Sequence, residues 1–407
     1  MTQPSPALTA DLCLKCNICT AACPVAAVTD LFPGPKAVGP QAQRFRHPQL
    51  PPPDASVAWC SGCGTCTRVC PHGVAIAEIN IQAKARLAET HAPPLRDHVI
   101  SRPEWLGFAG SLAAPIANPM LRLGPTRWAL EKVLGIDRDA PMPPFARQTL
   151  RARLRSRCIP QPPADASHVV AYYHGCSTNY YEPDLGLKAI AVLERLGCRV
   201  ILPPQRCCGL PLQSNGFFPA ARRQAKTNLR MLRPFVEAGI PIVGTSTSCT
   251  LALKHDYRTI LGLEGEAAEA VALGTFDIFE FLEARLGEAL DRAALAPVEA
   301  SALYHPPCQL KSHFMGTPAV RVLRRIPGLR VVLSQSECCG IAGTYGLKHE
   351  KYAVAQAVGE GLFQQTTESQ ADFVLTDSET CRWWIAQHTH RQVIHPIELL
   401  ARSLRLA

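Results

Sequence analysis

The sequence predicts an α/β protein in which two duplicated lobes, each built on a parallel sheet, follow a small helical module rich in cysteine. Three observations predict it. From about residue 167 onward short β-rich runs alternate with helical patterns, as in parallel sheets wound with helices. Within that region one order of cysteines occurs twice with one span: Cys176 to Cys249 is 73 residues and Cys308 to Cys381 is also 73. Eight further cysteines fall in two matching runs before residue 90. The division that follows is a cysteine module at 1–90, a Pro/Arg-rich connector at 91–166, a first lobe at 167–295 and a second at 296–407.

Composition bounds the chemistry. The 407 residues are 47% hydrophobic, with 36 prolines and 18 cysteines, enough for several cores and many joints. The start, "MTQPSPALTADLC", carries no basic leader, apolar run or cleavage site. A cytoplasmic location is therefore expected, where thiols stay reduced and clustered cysteines serve metal rather than disulfides. The net charge of +9 is uneven: residues 1–157 hold 18 Lys and Arg against 10 Asp and Glu. No binding fold or aromatic-basic surface accompanies that charge, so no nucleic acid partner is expected.

The first module carries the strongest signal. "CLKCNICTAACP" supplies Cys13, Cys16, Cys19 and Cys23, and "CSGCGTCTRVCP" supplies Cys60, Cys63, Cys66 and Cys70. Both read C-x2-C-x2-C-x3-C-P, the run of two-cluster bacterial ferredoxins, in which the fourth cysteine serves the other cluster. The expected sets are Cys13, Cys16, Cys19 with Cys70, and Cys60, Cys63, Cys66 with Cys23. Zinc ribbons bring ligands in pairs and leave triplets with a trailing Cys-Pro unexplained. The module is thus expected to be ferredoxin-like and α-helical, with two 4Fe–4S clusters.

The connector contains "PTRWALEKVLG", a helix closed by Gly135. Its longest apolar stretch, "WLGFAGSLAAPIANPML" at 105–121, is interrupted by Pro115 and Pro119. It is too short to span a bilayer, and it suits either a membrane surface or a buried connector. The run "RARLRSR" at 151–157 reads as a solvated linker or as a patch drawn to anionic lipid.

Each lobe then opens with a buried strand, "HVVAYYHGC" or "ASALYHPPC". Helices are expected at 183–196 and 318–326, second strands at "CRVIL" and "LRVVL", and third strands at "PIVGT" and "ADFVLT". Ligands of such sheets sit beyond the carboxyl ends of the strands, where every cysteine of the repeat falls. The candidate metal ligands are Cys176, Cys207, Cys208 and Cys249 in one lobe, and Cys308, Cys338, Cys339 and Cys381 in the other. Adjacent cysteines rarely meet disulfide geometry; soft thiolates suit iron–sulfur clusters or zinc. Gly209 and Gly340 would let the chain turn so that neighbouring sulfurs face one site. Cys158 and Cys198 have no counterpart in the repeat. His174 and His305 are expected to hydrogen-bond near the thiols, and His313 and His395 to be ordinary. Dinucleotide, Walker and nucleophile-elbow signatures are absent, so electrons would come from and go to partners.

Taken together, "CLKCNICTAACPVA", "FPGPKAVGP", "HGCSTNYYEPDLG", "CCGLPLQSNGF", "TSTSCTLAL", "SECCGIAGTYG" and "TDSETCRWWI" resemble the family of C subunits of anaerobic glycerol-3-phosphate dehydrogenase. The Cys-Cys-Gly repeat is also similar to that of heterodisulfide reductase and glycolate oxidase iron–sulfur subunits. The resemblance implies an electron-transfer subunit with no substrate site of its own and so no catalytic residues. Its partners would be flavin dehydrogenase subunits, the membrane quinone and the inner face of the cytoplasmic membrane. It implies two ferredoxin-type 4Fe–4S clusters and one or two further iron–sulfur clusters or metal ions in the repeats. One departure stands out: the wider pattern ends in Cys-x-x-Cys, whereas this chain has Ser246 and Ser378 at the first of those positions. A flavin partner acting on glycolate or lactate, or a thiol–disulfide reductase using the paired cysteines, remain open alternatives.

Overall fold

The computed structural model describes residues 5–46, 54–164 and 168–406. Each lobe holds a four-stranded, wholly parallel sheet. In the first, β1 (Val169–Tyr173), β2 (Arg199–Ile201), β3 (Ile242–Gly244) and β4 (Thr275–Asp277) lie in the order β2-β1-β3-β4. In the second, β5 (Ala300–Tyr304), β6 (Leu329–Leu333), β7 (Phe373–Leu375) and β8 (Val393–Ile394) lie in the matching order β6-β5-β7-β8. The mixed α/β fold with a duplicated sheet is the one the alternating pattern predicts. The central strands read as apolar runs because both faces are covered: all five residues of β1 are buried. Helices expected at 183–196 and 318–326 are found at Pro183–Arg195 and Pro318–Leu323. The connector helix spans Gly124–Leu134 and is closed by Gly135 in the left-handed conformation (φ 68°).

The lobes exchange their last helices. Ile278–Arg292, which follows β4, packs on Pro318–Leu323 of the second lobe, and Pro396–Ser403, which follows β8, packs on Pro183–Arg195 of the first. Tyr172, Leu193, Phe279, Tyr304 and Leu400 therefore belong to one shared core. Lys188–Glu398 at 2.8 Å joins the lobes at its edge. His313 and His395 are ties between lobes. The Nε2 of His395 donates to Thr245 O at 3.1 Å, and that of His313 to Thr247 O at 3.0 Å. Inside the shared core lie two carboxylates. Asp277 caps its helix through Phe279 N at 3.0 Å, and Asp377 accepts from Tyr304 Oη. Burial, then the charge of Asp377, pushes Asp277 well above the usual Asp range, and burial pushes Asp377 up to about 6.

The connector is a set of helices rather than a loose linker. Arg96 reaches Glu350 at 2.8 Å and Lys348 reaches Asp97 at 2.8 Å, pinning it to the second lobe. Pro103–Leu112 and Ala114–Met120 cover the expected apolar stretch, and the buried-connector reading of it fails. Gly107 and Gly110 turn inward, so close to Tyr180 and Phe145 that a Cβ would lie 2.6 and 2.3 Å from their rings. Trp105, Phe108, Leu112, Ile116 and Met120 point outward, Trp105 at 77% and Leu112 at 80% exposure. The arginine run is stitched to the first lobe: Arg151 donates to Pro203 O at 3.0 Å, Arg153 pairs with Asp184 at 2.6 Å, and Arg157 pairs with Glu194.

Two outcomes are expected. At Gly340 the backbone is left-handed (φ 96°) and a Cβ would lie 1.9 Å from Ala355 O, whereas at Gly239 (φ 77°) nothing lies within 4 Å. Gly340→Ala should cost about 3 kcal/mol or more and Gly239→Ala about 1 kcal/mol, read as loss of apparent Tm. Asp277→Asn keeps the cap and removes one buried ionisable group. Asp277 holds a proton in the fold that it loses when unfolded, so the wild type loses stability as pH rises above the ordinary 3.8. The Tm advantage of Asp277→Asn should therefore grow from pH 4 upward and flatten once both wild-type carboxyls ionise. A constant difference from pH 4 to pH 8 would contradict the paired-acid reading.

Candidate iron–sulfur sites

The two cysteine runs fold alike. In each, two residues flanking the second cysteine are left-handed: Lys15 (φ 60°) and Asn17 (φ 72°) around Cys16, Gly62 (φ 71°) and Gly64 (φ 78°) around Cys63. Lys and Asn adopt that backbone only at a cost of about 1–2 kcal/mol. A loop wound identically with and without glycine is shaped by what its three sulfurs must surround. Gly64 answers a second demand, since a Cβ there would lie 2.5 Å from Ser312 Oγ of the second lobe.

Cys23, Cys60, Cys63 and Cys66 line one pocket together with Phe32 and Pro35. This is the crossed set read from the spacing: the fourth cysteine of the first run joins the triplet of the second. Cys13 and Cys70 pack against Cys19 in the neighbouring cluster of apolar residues, while Cys16 is exposed. Burial pushes the Cys23 thiol up to about 12 and raises that of Cys60. Two lysines absent from the motif stand beside this set. Lys84 Nζ donates to Cys60 O at 3.0 Å, and Lys351 Nζ donates to Ala58 O. Burial pushes Lys84 down to about 8 and Lys351 well below its usual range. Their charge would offset that of a cluster held by four thiolates.

In the first lobe Cys176 lies on the short helix Gly175–Tyr180 after β1, Cys207 and Cys208 on the loop after β2, and Cys249 on Thr247–Leu251 after β3. The second lobe repeats this with Cys308, the Cys338–Cys339 loop and Cys381. All eight are buried, at the carboxyl edges of their sheets. Sulfur touches sulfur: Cys339 Sγ and Cys381 Sγ are 2.8 Å apart, well beyond a disulfide bond. A Cβ on Gly175 would come within 3.0 Å of Cys249 Sγ. Contact with Cys208 and then burial push Cys249 well above the usual thiol range, and contacts with Cys338 and Cys381 do the same to Cys339. Gly209 (φ 84°) and Gly340 (φ 96°) make the expected turns.

The frames around the two pairs differ. In the first lobe Asn228 Nδ2 donates to Cys207 O at 3.0 Å, Tyr257 Oη to Cys208 O at 2.8 Å, and Cys207 N to Glu104 Oε2 at 3.1 Å. Glu104 belongs to the connector, and the motif itself gives no sign of it. In the second lobe Gly340 N donates to Cys338 Sγ at 3.3 Å. His174 Nδ1 bonds Gly175 O at 2.6 Å, and burial holds the ring down to about 3, so it is neutral. His305 Nδ1 bonds Ser334 Oγ at 2.8 Å, leaving Nε2 buried without a partner near Cys338. Ser246 stays at its site, donating to Glu379 Oε1 at 3.3 Å and bonding Cys249, while Ser378 Oγ meets Thr380 Oγ1 at 3.3 Å. Each lobe thus offers four sulfurs, and the second adds one orphaned imidazole nitrogen. That donor set fits a soft metal group. Cys158 bridges to Leu202 at the sheet edge, apart from these sets.

Comparison with known proteins agrees. A 4Fe-4S dicluster domain model matches residues 9–74, and a cysteine-rich domain model matches 170–254 and 302–386. The chain is 39% identical over 397 residues to the C subunit of anaerobic glycerol-3-phosphate dehydrogenase of Escherichia coli (strain K12), covering 96% of this chain and 98% of that one. It is 24% identical to the glycolate oxidase iron-sulfur subunit of the same organism, covering 99% and 97%. It is 30% identical to lactate utilization protein A of Exiguobacterium sp., covering 57% and 94%. The chain is an iron–sulfur protein with several clusters, and it belongs to the family of C subunits of anaerobic glycerol-3-phosphate dehydrogenase.

Proposed function

We propose that this chain is the electron-transfer subunit of a membrane-associated flavin dehydrogenase of the glycerol-3-phosphate type, passing electrons to quinone and helping to hold the complex at the membrane. The observation that carries the reading is the gathering of sulfurs into sets: Cys23 with Cys60, Cys63 and Cys66 around one pocket, and four buried ones in each lobe. In this reading the eight ferredoxin cysteines hold two 4Fe–4S clusters, crossed as their spacing implies. The eight Cys-Cys-Gly cysteines hold the further iron–sulfur groups. Substrate oxidation at the flavin partner releases two electrons. They cross this chain singly, and quinone takes up both with two protons to give quinol.

Attachment is supported by the inside-out helices Pro103–Leu112 and Ala114–Met120. No described helix is long and apolar enough to cross a membrane. Yet residues 105–121 carry no charge and are flanked by Arg102 and Arg122, and Trp105, Phe108, Leu112 and Ile116 face outward. A bare apolar face with a basic rim suits shallow insertion into an anionic leaflet.

A glycolate- or lactate-type flavin partner is the second reading, favoured by the similarity to the glycolate oxidase iron-sulfur subunit over nearly the full chain. Co-purification with the flavin subunit, followed by reduction with each substrate in turn, separates the two. Thiol–disulfide reduction is disfavoured, because thiols this deeply buried are out of reach of a substrate disulfide.

Anaerobically purified protein should hold more iron than the roughly eight atoms of two cubanes. Cys23→Ala should lose the same EPR signal as Cys63→Ala, and Cys70→Ala the same as Cys16→Ala. Pairing of Cys23 with Cys16 instead would overturn the crossed assignment. On vesicles containing anionic lipid, Trp105→Asp/Phe108→Asp/Ile116→Asp should abolish flotation, while Arg153→Gln/Arg157→Gln should leave it near wild type. The opposite pattern would return the anchor to the arginine run.

A further inference from the structure

Arg68 is the feature that neither motif nor family reading explains. It follows the Cys60–Cys66 triplet, and its side chain is 12% exposed. Its Nη1 donates to Cys63 O at 3.3 Å, to Cys308 O at 3.4 Å and to Ser312 Oγ at 3.3 Å. Its Nη2 donates to Thr65 Oγ1 at 3.1 Å and to Glu337 Oε2 at 3.3 Å. One guanidinium therefore holds the Cys63 loop against two of the three cysteine-bearing segments of the second lobe, the Cys308 helix and the residue before Cys338. The seat of Gly64 against Ser312 Oγ, where a Cβ would be 2.5 Å away, brings the backbones together at the same place.

The first lobe meets the module differently. Its contacts run through the helix Ile76–Thr90: Gln82 Nε2 donates to Ile260 O at 3.4 Å, and Ala88 lies against Gly216. Ile81 and Ala85 of that helix share a core with the four first-lobe cysteines, and further ties run to the second lobe and the connector. Glu379, two residues before Cys381, accepts from Ser246 Oγ at 3.3 Å. His313, five residues after Cys308, bonds Thr247 O. On the far side Cys207 N is held by Glu104, whose neighbour Trp105 stands on the exposed apolar face.

From this geometry we propose a fixed order for the sites. The Cys308–Cys338–Cys339–Cys381 site exchanges electrons directly with the Cys23–Cys60–Cys63–Cys66 site, and Arg68 is the positioning residue of that junction. The Cys176–Cys207–Cys208–Cys249 site comes one step later, beside the helices that face the membrane. The duplicated lobes are thus successive stations and not parallel alternatives. Each step moves one electron, oxidising one cysteine-held centre and reducing the next, with no bond made or broken. The order rests on the reading that the lobes hold iron–sulfur groups.

The test uses the full-length, iron-loaded chain and EPR power saturation of the reduced Cys23–Cys60–Cys63–Cys66 signal, which reports a paramagnetic neighbour. Cys308→Ala/Cys338→Ala should remove the relaxation enhancement of that signal, and Cys176→Ala/Cys207→Ala should leave it in place. Loss in the first-lobe variant with retention in the second-lobe variant overturns the order, as does no change in either. Arg68→Gln removes no ligand. It should keep full iron while losing enhancement, and Arg68→Lys should recover part of it. Wild-type saturation in Arg68→Gln overturns the positioning role. Iron counts are taken on every sample. If Cys308→Ala/Cys338→Ala loses no iron, the failure lies with the ligand assignment of the proposed function, and the order falls with it.

Discussion

Crowding of four sulfurs at the carboxyl edge of each parallel sheet is the constraint on which the rest of the architecture turns. Thiols packed this closely perturb one another, pushing Cys249 and Cys339 up and Cys338 down, and as small apolar groups they gain little from burial. Holding them together takes a left-handed glycine after each pair, a short helix after the first and third strands, and a frame of buried donors such as Asn228 and Tyr257. The sheets serve chiefly to present the ends of their strands. Soft metal coordination repays such an arrangement, because bound metal deprotonates the thiols and turns mutual repulsion into shared ligation.

Duplication supplied two copies of that edge, and the interface made them unequal. The exchange of Ile278–Arg292 and Pro396–Ser403 gives the lobes one core, so neither sheet can shift without the other. Within this near-symmetry particular residues break the match. Thr245 bonds Tyr172 Oη where Asp377 bonds Tyr304 Oη. A Cβ on Gly209 would meet Ala221 O at an ordinary 3.7 Å, where one on Gly340 would be pressed to 1.9 Å from Ala355 O. His305 keeps a free imidazole nitrogen near its thiols, whereas His174 spends its nitrogens on Gly175 O and Arg151. Two sites with the same sulfurs but different neighbours are tuned differently.

Much of this was legible in the chain, and the exceptions share a cause. Six of the eight strands were readable because apolar runs such as "HVVAYY" and "LRVVL" are long enough to show. β4 and β8 were not, because each runs at once into a helix cap, Asp277 or His395, and shows no apolar run of its own. The cysteine sets were readable because ligand spacing is local. Arg68, Glu104, Lys351 and Glu379 were not, because their partners lie more than 100 residues away, and a lone charged residue carries no signal of what it will meet. The connector helices were ambiguous for another reason. Large apolar residues at helical spacing look the same whether the face is covered or bare, and only the inward glycines at 107 and 110 distinguish the two.

The depth of the sulfurs has a consequence for how the protein is made. Cys207, Cys208, Cys338 and Cys339 lie at 2–5% exposure, so a group held by them is reached only by moving the loops that cover it. Delivery must therefore come before the loops at 205–210 and 335–347 close, or wait for them to open. Closure and loading then compete as the chain folds, and the opening of these loops sets the pace of any later exchange.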